Sequence, residues 1–488
     1  MRYYLGIDIG TSSAKLTLID EAGNIIDERS KEYQVLMPQA GWKEIDPETW
    51  MKAVDEAALE ILAGKDASLL DGIGVTGQMH TVVFIGQDGR SIRPALMWND
   101  TRTAARVAEI KPQIGAIPEV SYIANVISTG SPAINLLWLK ENEPENFRQM
   151  KKFLIGPDFI VYRLTGNFQT DFCEASTSSL LDLKKGIWSV EMRQLLDFPE
   201  SIYPEIKGTN VIAGEVTEYW RARYGLHEGV KVIVGTGDNP AAAISTGCFS
   251  KKYPVLSLGT SGVLMYPKEQ IDFTAKGKNI MFSFDQKDIQ ILVQGVVQSC
   301  GNSMNWWMKN IIESKDYARE TDINLSGLGE NKLLFFPHLT GDKTIYADPT
   351  LRGAFLGIGT ESSRKDMTLA VMEGIAFGVK QLTEVMKMPA ESLQNLKITG
   401  GGSKNEVWMQ IFADVLGVNT EQLEAGAGAG YGMALCAAAA CGSSSLNDII
   451  SNTVKVKKVF SPRAKNVKLY EEKYRTYLKI HDALKAIF

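Results

Sequence analysis

Several classes of protein are excluded by what this sequence has little of. There are five cysteines, Cys173, Cys248, Cys300, Cys436 and Cys441, scattered and odd in number, with no CxxC pair. A disulfide scaffold or a thiolate metal site therefore has no basis. Only four histidines occur, which argues against a His-rich metal centre. Basic charge is not in excess: 52 Lys and Arg stand against 57 Asp and Glu, a net charge of −5. A broad nucleic-acid surface needs a strongly basic face, so nucleic acid is not an expected partner. The longest run of small apolar residues, Gly432 to Cys441, is far shorter than the roughly 20 residues that cross a bilayer. The N-terminal MRYYLGIDIGTSSAK has no hydrophobic stretch of signal length. The expectation is a soluble, cytoplasmic protein with no membrane partner.

Nucleotide-binding signatures of the common kinds are missing too. No GxxxxGK[ST] loop occurs, and Gly400-Gly401-Gly402-Ser403-Lys404-Asn405 lacks GxGxxG spacing. Protein-kinase motifs are absent.

What is present fits a large α/β protein. At 488 residues and 44% hydrophobic composition, the chain is long enough for two large domains. Tyr3 to Ile9, Lys15 to Ile19 and Ile25-Ile26, joined by tight turns, read as an antiparallel start. Asp46-Pro47 predicts an N-cap and first turn of a helix through Leu62. Further helices are expected at Ala104 to Ile110, Ser131 to Lys140, Asn146 to Phe153, and Gly156 to Leu164 ending at Gly166. A strand at Val230 to Gly235 leads through Asp238-Asn239-Pro240 into a small-residue helix, Ala241 to Gly247. The opening then recurs: Ile7-Asp8-Ile9-Gly10-Thr11-Ser12-Ser13 is echoed by Ser257-Leu258-Gly259-Thr260-Ser261-Gly262, each placing Gly-Thr-Ser between short strands. This predicts two related domains, 1–249 and 250–488. Later helices are expected at Gly301 to Glu313, Met367 to Met386, Asn405 to Leu416, Gly428 to Ala440 and Glu471 to Ala486. The apolar stretches of the second half suit either core helices or the face of a homodimer.

Asp8 lies in an apolar strand beside Gly10-Thr11-Ser12. A carboxylate there is costly to bury unless paired or bound to a cation. The adjacent turn can offer N–H groups and hydroxyls to phosphate oxygens. Asp8 is thus a candidate Mg²⁺ anchor; the alternative is a strand-end Asp that satisfies a turn. Gly235-Thr236-Gly237-Asp238-Asn239-Pro240 places Asp238 at a helix start. There it is either the N-cap or a general base for a sugar hydroxyl. Gln78 and His80 are either structural donors or polyol contacts. Trp98-Asn99-Asp100 joins a flat apolar face to two polar groups, as a sugar site or as a core tryptophan beside a turn. Arg102 is expected at the surface or on the sugar.

Taken together, Asp8-Ile9-Gly10-Thr11-Ser12, Gly77-Gln78-Met79-His80, Trp98-Asn99-Asp100, Gly237-Asp238-Asn239 and Gly400-Gly401-Gly402 resemble the ordered landmarks of the FGGY carbohydrate kinases. The likeness runs from residue 3 to about 442, and the Gly77 to His80 tetrad tilts it toward the branch acting on D-xylulose. The resemblance implies two actin-like, ribonuclease H-like domains with an interdomain cleft. The first domain would hold sugar and catalytic base, and the second the nucleotide. It implies Asp238 as base, and Mg²⁺ organised by Asp8 with Asp238. Thr11, Ser12, Lys15, Gly259 and Thr260 would face ATP phosphates, and Gly401, Gly402 and Asn405 would line the nucleotide pocket. Gln78, Met79, His80, Trp98, Asn99, Asp238 and Asn239 would approach the sugar. The product would be D-xylulose 5-phosphate. Departures from the family pattern fall at Asn135, Lys343 and Ala427. They bear on the sugar more than on the reaction, leaving D-ribulose, L-xylulose or another polyol open; the alternative from another class is a non-kinase actin-like ATPase or structural protein.

Overall fold

The computed structural model describes residues 2–249, 254–424 and 428–485. The expected boundary at Ser250 and the departure at Ala427 lie outside them.

Two twisted sheets organise the chain. In the first, Tyr3–Ile9, Ser13–Asp20 and Ile25–Glu32 form an antiparallel meander. Leu70–Gly77 runs parallel to Tyr3–Ile9 on its other side, followed by Lys231–Ile233, also parallel. Ile212–Glu215 closes that edge antiparallel. The second sheet repeats the plan. Val255–Leu258, Gly262–Lys268 and Gln290–Val297 form the meander. Asn395–Thr399 and Asn419–Leu423 add in parallel, and Val456–Phe460 closes the edge antiparallel. The brief Gly-Thr-Ser echo in the sequence thus marks equivalent turns of two sheets with one strand order. Beyond this shared order the second sheet adds the strand Lys278–Phe282 on the edge of its meander.

Local signals explain many of the helices. Asp46 caps the amide of Glu48 and Pro47 opens the helix Pro47–Leu62. Its buried face, including Trp50, Val54, Ala57 and Ile61, covers the meander strands. Each large apolar side chain so buried contributes about 1.5–3 kcal/mol. Gly166, left-handed at φ 81°, ends Pro157–Thr165 where expected. Ser363 and Asp366 form a capping box at the start of Arg364–Val385. The apolar helices Arg364–Val385 and Glu406–Leu416 are core elements of the second half. Among the described residues no helix is long and apolar enough to cross a membrane.

Three expectations need correction. Residues 150–155 form a strand, Met150–Ile155, paired antiparallel with Val82–Gly86, and the preceding helix stops at Gln149. Met150, Phe153, Leu154 and Ile155 are all buried in that pairing, so tertiary pairing overrode an ambiguous apolar pattern. The helix expected from Ala241 begins at Asp238. The last helical region starts at Ala464 and breaks after Tyr477, resuming at Ile480–Leu484.

The helix Ala429–Cys441 packs on Tyr3–Ile9 and Leu70–Gly77 of the first sheet and on Asp238–Ile244. Paired glycines permit the approach. A Cβ on Gly6 would lie 1.7 Å from the Gly430 carbonyl oxygen, and one on Gly432 would lie 2.1 Å from that of Ala241.

Candidate active site

The carboxyl ends of the parallel strands in both sheets carry the residues singled out from the sequence, as expected for an α/β ligand site. In the first sheet Asp8 sits one residue from the end of its strand, and Gly10 turns the chain by donating its N–H to the Ser13 carbonyl. Strand Leu70–Gly77 delivers Gln78, Met79 and His80 beside that turn. The third contribution is the short strand Thr236–Gly237, paired with Thr76–Gly77, which runs straight into the helix Asp238–Ile244.

Glycine is required where these segments meet. Gly235 has φ 78°, and a Cβ there would stand 2.0 Å from the Val75 carbonyl oxygen. At Gly237 a Cβ would lie 2.5 Å from Met79 Cγ and 2.9 Å from Glu174 Oε1. The N-cap of the helix is Gly237, so Asp238 occupies its first turn and is not the cap. Burial, followed by the charge of Asp8, pushes the Asp238 carboxyl up to about 7, against the backbone amides of Asn239 and Asp238 that favour its ionised form. Burial likewise raises Asp8 to about 6, opposed by Lys15 across the strand pair. Two half-buried carboxyls therefore share one corner of the site.

The remaining residues divide by what they touch. Gln78 is buried and both ends of its amide are engaged: Nε2 donates to the Gly10 carbonyl at 3.0 Å, and Oε1 accepts from the Thr81 hydroxyl at 3.0 Å. Both bonds brace the turn. Met79 sulfur lies 3.7 Å from Asn239 Nδ2. Trp98 is 42% exposed and its Nε1 is 3.4 Å from the Thr11 hydroxyl, so the indole links the two turns of the first half. The Asn99 side-chain oxygen is buried without a partner. Arg102 is neither on the surface nor at a ligand. Its guanidinium is buried on Asp100 and Glu44 and lies over Trp42 and Trp138, at 3.7 and 4.6 Å from the ring centroids. Lys15 Nζ pairs with Glu28 at 2.8 Å.

On the second sheet, the turn at Gly259 and Thr260 is fixed from behind, because both carbonyls accept amides of Gly301 and Asn302 at the head of the next helix. Thr260 itself is exposed. Gly400, at φ 85°, turns beside Leu258, and Gly401 faces open space, whereas Gly402 packs on Leu258 and Trp408. Asn405 is an N-cap: its oxygen accepts the Trp408 amide and its nitrogen donates to the Thr321 hydroxyl at 2.6 Å. Those bonds fix the start of the helix Glu406–Leu416. Of the departures, Asn135 is fully buried with both polar side-chain atoms unpartnered, and Lys343 is exposed.

Two residues at the site carry no sequence signal. Glu174, in the helix Phe172–Thr177, is buried beneath Gly237 with neither carboxylate oxygen in a full hydrogen bond, and burial together with Asp171, Asp158 and Asp238 raises it well above the usual range, against the backbone amide of His80. Lys278, on the extra strand of the second sheet, brings Nζ to 2.9 Å from His80 Nε2. Burial lowers that lysine to about 8. His80 itself is held left-handed at φ 69°, a conformation sparsely populated by residues with side chains. Around this contact the halves meet through Met79 and Cys173 on one side and Val255, Met265, Ile280 and Leu292 on the other. Among the described residues no cluster of three or more His, Cys, Asp or Glu could hold a metal ion by itself.

The model for the N-terminal domain of the FGGY family of carbohydrate kinases matches residues 3–245, and that for the C-terminal domain matches 255–441. The xylulose kinase of Staphylococcus xylosus is 32% identical over 484 residues, covering 99% of this chain and 100% of the relative. That of Lactococcus lactis is 33% identical over 491 residues, covering 99% and 97%. A crystal structure described as a xyloylose kinase from Brucella ovis superposes with a TM-score of 0.91 at 29% identity, covering all of both chains.

Proposed function

The chain belongs to the FGGY family of carbohydrate kinases and is an ATP-dependent enzyme, and from that premise we propose that it phosphorylates D-xylulose at its terminal hydroxyl, with Asp238 as general base. The single observation that carries the assignment of the base is the placement of Asp238: at the first helical position rather than the cap, beside Asp8, with its carboxyl raised to about 7. A base poised near the working pH combines a useful unprotonated fraction with enough basicity to accept the hydroxyl proton. The choice of D-xylulose is supported by relatives that are xylulose kinases. The common strand order of the two sheets supports reading them as two actin-like, ribonuclease H-like domains, 1–249 bearing sugar and base and 250–488 bearing nucleotide.

The reaction is an in-line displacement. The sugar oxygen bonds to the γ-phosphorus, the bond from that phosphorus to the β–γ bridging oxygen breaks, ADP leaves, and the hydroxyl proton passes to the Asp238 carboxylate. Thr11 and Ser12 from one half, and Gly259 and Thr260 from the other, offer hydroxyls and amides to the phosphates. Gly401 leaves room for the nucleotide to approach the backbone. Met79, His80, Trp98, Asn99 and Asn239 surround the sugar.

Asp8 and Asp238 fit Mg²⁺. Their mutual repulsion is what a divalent cation relieves, and Mg²⁺ is ordinarily held by one or two carboxylates together with substrate phosphates and water. When bound, the ion would neutralise charge on the phosphates. Water is a competing acceptor, so bringing the halves together around the sugar protects ATP from hydrolysis.

The test is ADP release with MgATP and a panel holding D-xylulose, D-ribulose, L-xylulose, hexuloses and polyols, beside a blank without sugar. Selective stimulation by D-xylulose is expected. Stronger stimulation by another sugar would reject the substrate and keep the reaction.

A further inference from the structure

We propose that Lys278 is a sugar-specificity residue, supplied by the nucleotide-bearing half, whose ammonium donates to the carbonyl oxygen of a ketose acceptor. The proposal rests on the reading of His80 as a wall of the sugar pocket.

Asp8, Asp238 and Glu174 are acceptors when ionised, and the Met79 thioether is at best a weak acceptor. His80 Nε2 lies 2.9 Å from Lys278 Nζ. Since an ammonium can only donate, that ring nitrogen is the acceptor of the pair and has no proton to give. Nδ1 is buried toward the Thr177 backbone without a full hydrogen bond, so it does not reach a ligand either. The amide of Gln78 is engaged. A ketose differs from the matching pentitol by one oxygen that accepts and cannot donate. That oxygen needs a donor; the first half offers the Trp98 indole and the Asn99 and Asn239 amides, all of them neutral, and a charged donor has to come from elsewhere.

Lys278 provides one. It is half-buried, and His80 is the one hydrogen-bond partner it has among the described residues. Two of its three N–H bonds are left to point elsewhere. Cys173 and Glu174, both buried, lie close to it. The lysine sits on Lys278–Phe282, the strand that breaks the likeness between the two sheets. This strand packs on the helix Phe172–Thr177, and the Met281 amide donates to the Ser176 hydroxyl at 3.0 Å across the halves. The extra strand thus carries the donor into the first half's pocket.

The experiment compares wild type with Lys278→Met, Lys278→Gln and Lys278→Arg. It measures kcat and KM for D-xylulose and for ATP, and the affinity of xylitol as substrate or competitive inhibitor. Removing a charged donor to a bound oxygen is worth roughly 10- to 100-fold. The expected result is that Lys278→Met raises the KM for the ketose by about that factor, changes xylitol affinity by less than about threefold, and leaves the KM for ATP within about twofold. Lys278→Arg should recover part of the loss. Equal losses for ketose and pentitol, or an unchanged ketose KM, would overturn the proposal. If Lys278→Met fails to fold, Lys278→Gln, which keeps a neutral donor and most of the volume, decides by the same ratio. Asp238→Asn is run alongside: full turnover in that variant would reject the reading of the site, whereas an inactive Asp238→Asn with an unchanged Lys278→Met rejects only this proposal.

Discussion

Asp8 and Asp238, 230 positions apart in the chain, meet at one corner of the cleft, and the charge of the first raises the carboxyl of the second. The base must be unprotonated to act. Activity with sugar, as kcat/KM, is therefore expected to fall about tenfold per unit of pH below about 7. Asp8→Asn removes a negative neighbour, so the acid limb should move to lower pH even as the demand for Mg²⁺ rises. A pH profile at saturating Mg²⁺ checks this. A limb that stays in place in Asp8→Asn would contradict the coupling.

Buried carboxyls beneath the site set the sign of another pH effect. Burial raises Asp171 to about 6, and Asp158 and Glu174 well above the ordinary carboxylate range. Between their ordinary and raised values the folded chain binds more protons than the unfolded chain, so stability falls as pH rises through that window. Glu174→Gln removes one such group. Its melting temperature relative to wild type should be more favourable at pH 8 than at pH 5, whereas parallel curves for the two proteins would contradict the burial of an uncompensated carboxyl.

Arg102 belongs to the framework. Arg102→Met leaves Asp100 buried without its cation and Glu44 with Arg93 alone, a loss of about 3–5 kcal/mol. Urea unfolding measures it. The KM for sugar in the folded variant should match wild type, and a selective rise in that KM would return Arg102 to the ligand.

The contact between the helix Ala429–Cys441 and the first sheet depends on glycine. Gly6→Ala would drive a methyl group into the Gly430 carbonyl, and overpacking of this kind costs about 1–3 kcal/mol. Because Asp8 lies on the same strand, turnover should fall along with the melting temperature. A neutral effect on both would mean that the helix can move away freely.

How much of this was legible in the sequence follows from how local each signal is. Asp46-Pro47 and Gly166 mark helix ends through their own backbone preferences, and both were read correctly. The Gly-Thr-Ser echo revealed the duplicated sheets because tight turns constrain residue type. Met150–Ile155 was misread as helix because a short apolar run fits either period until a partner strand is known. Gln78 and Asn405 have side chains suited to ligands, and the fold uses them as brace and cap. Glu174 and Lys278 lie in no motif. Lys278 reaches His80 across 198 positions, a contact that only the meeting of the two halves creates.

The most direct test of the account is the turnover of Asp238→Asn with MgATP and the sugar that stimulates wild type best, measured beside the affinity of that sugar for the variant. General-base help is worth about 10²–10⁴-fold. The account predicts a loss of at least about 100-fold in kcat with sugar binding retained, and a variant keeping more than about a tenth of wild-type turnover would contradict it.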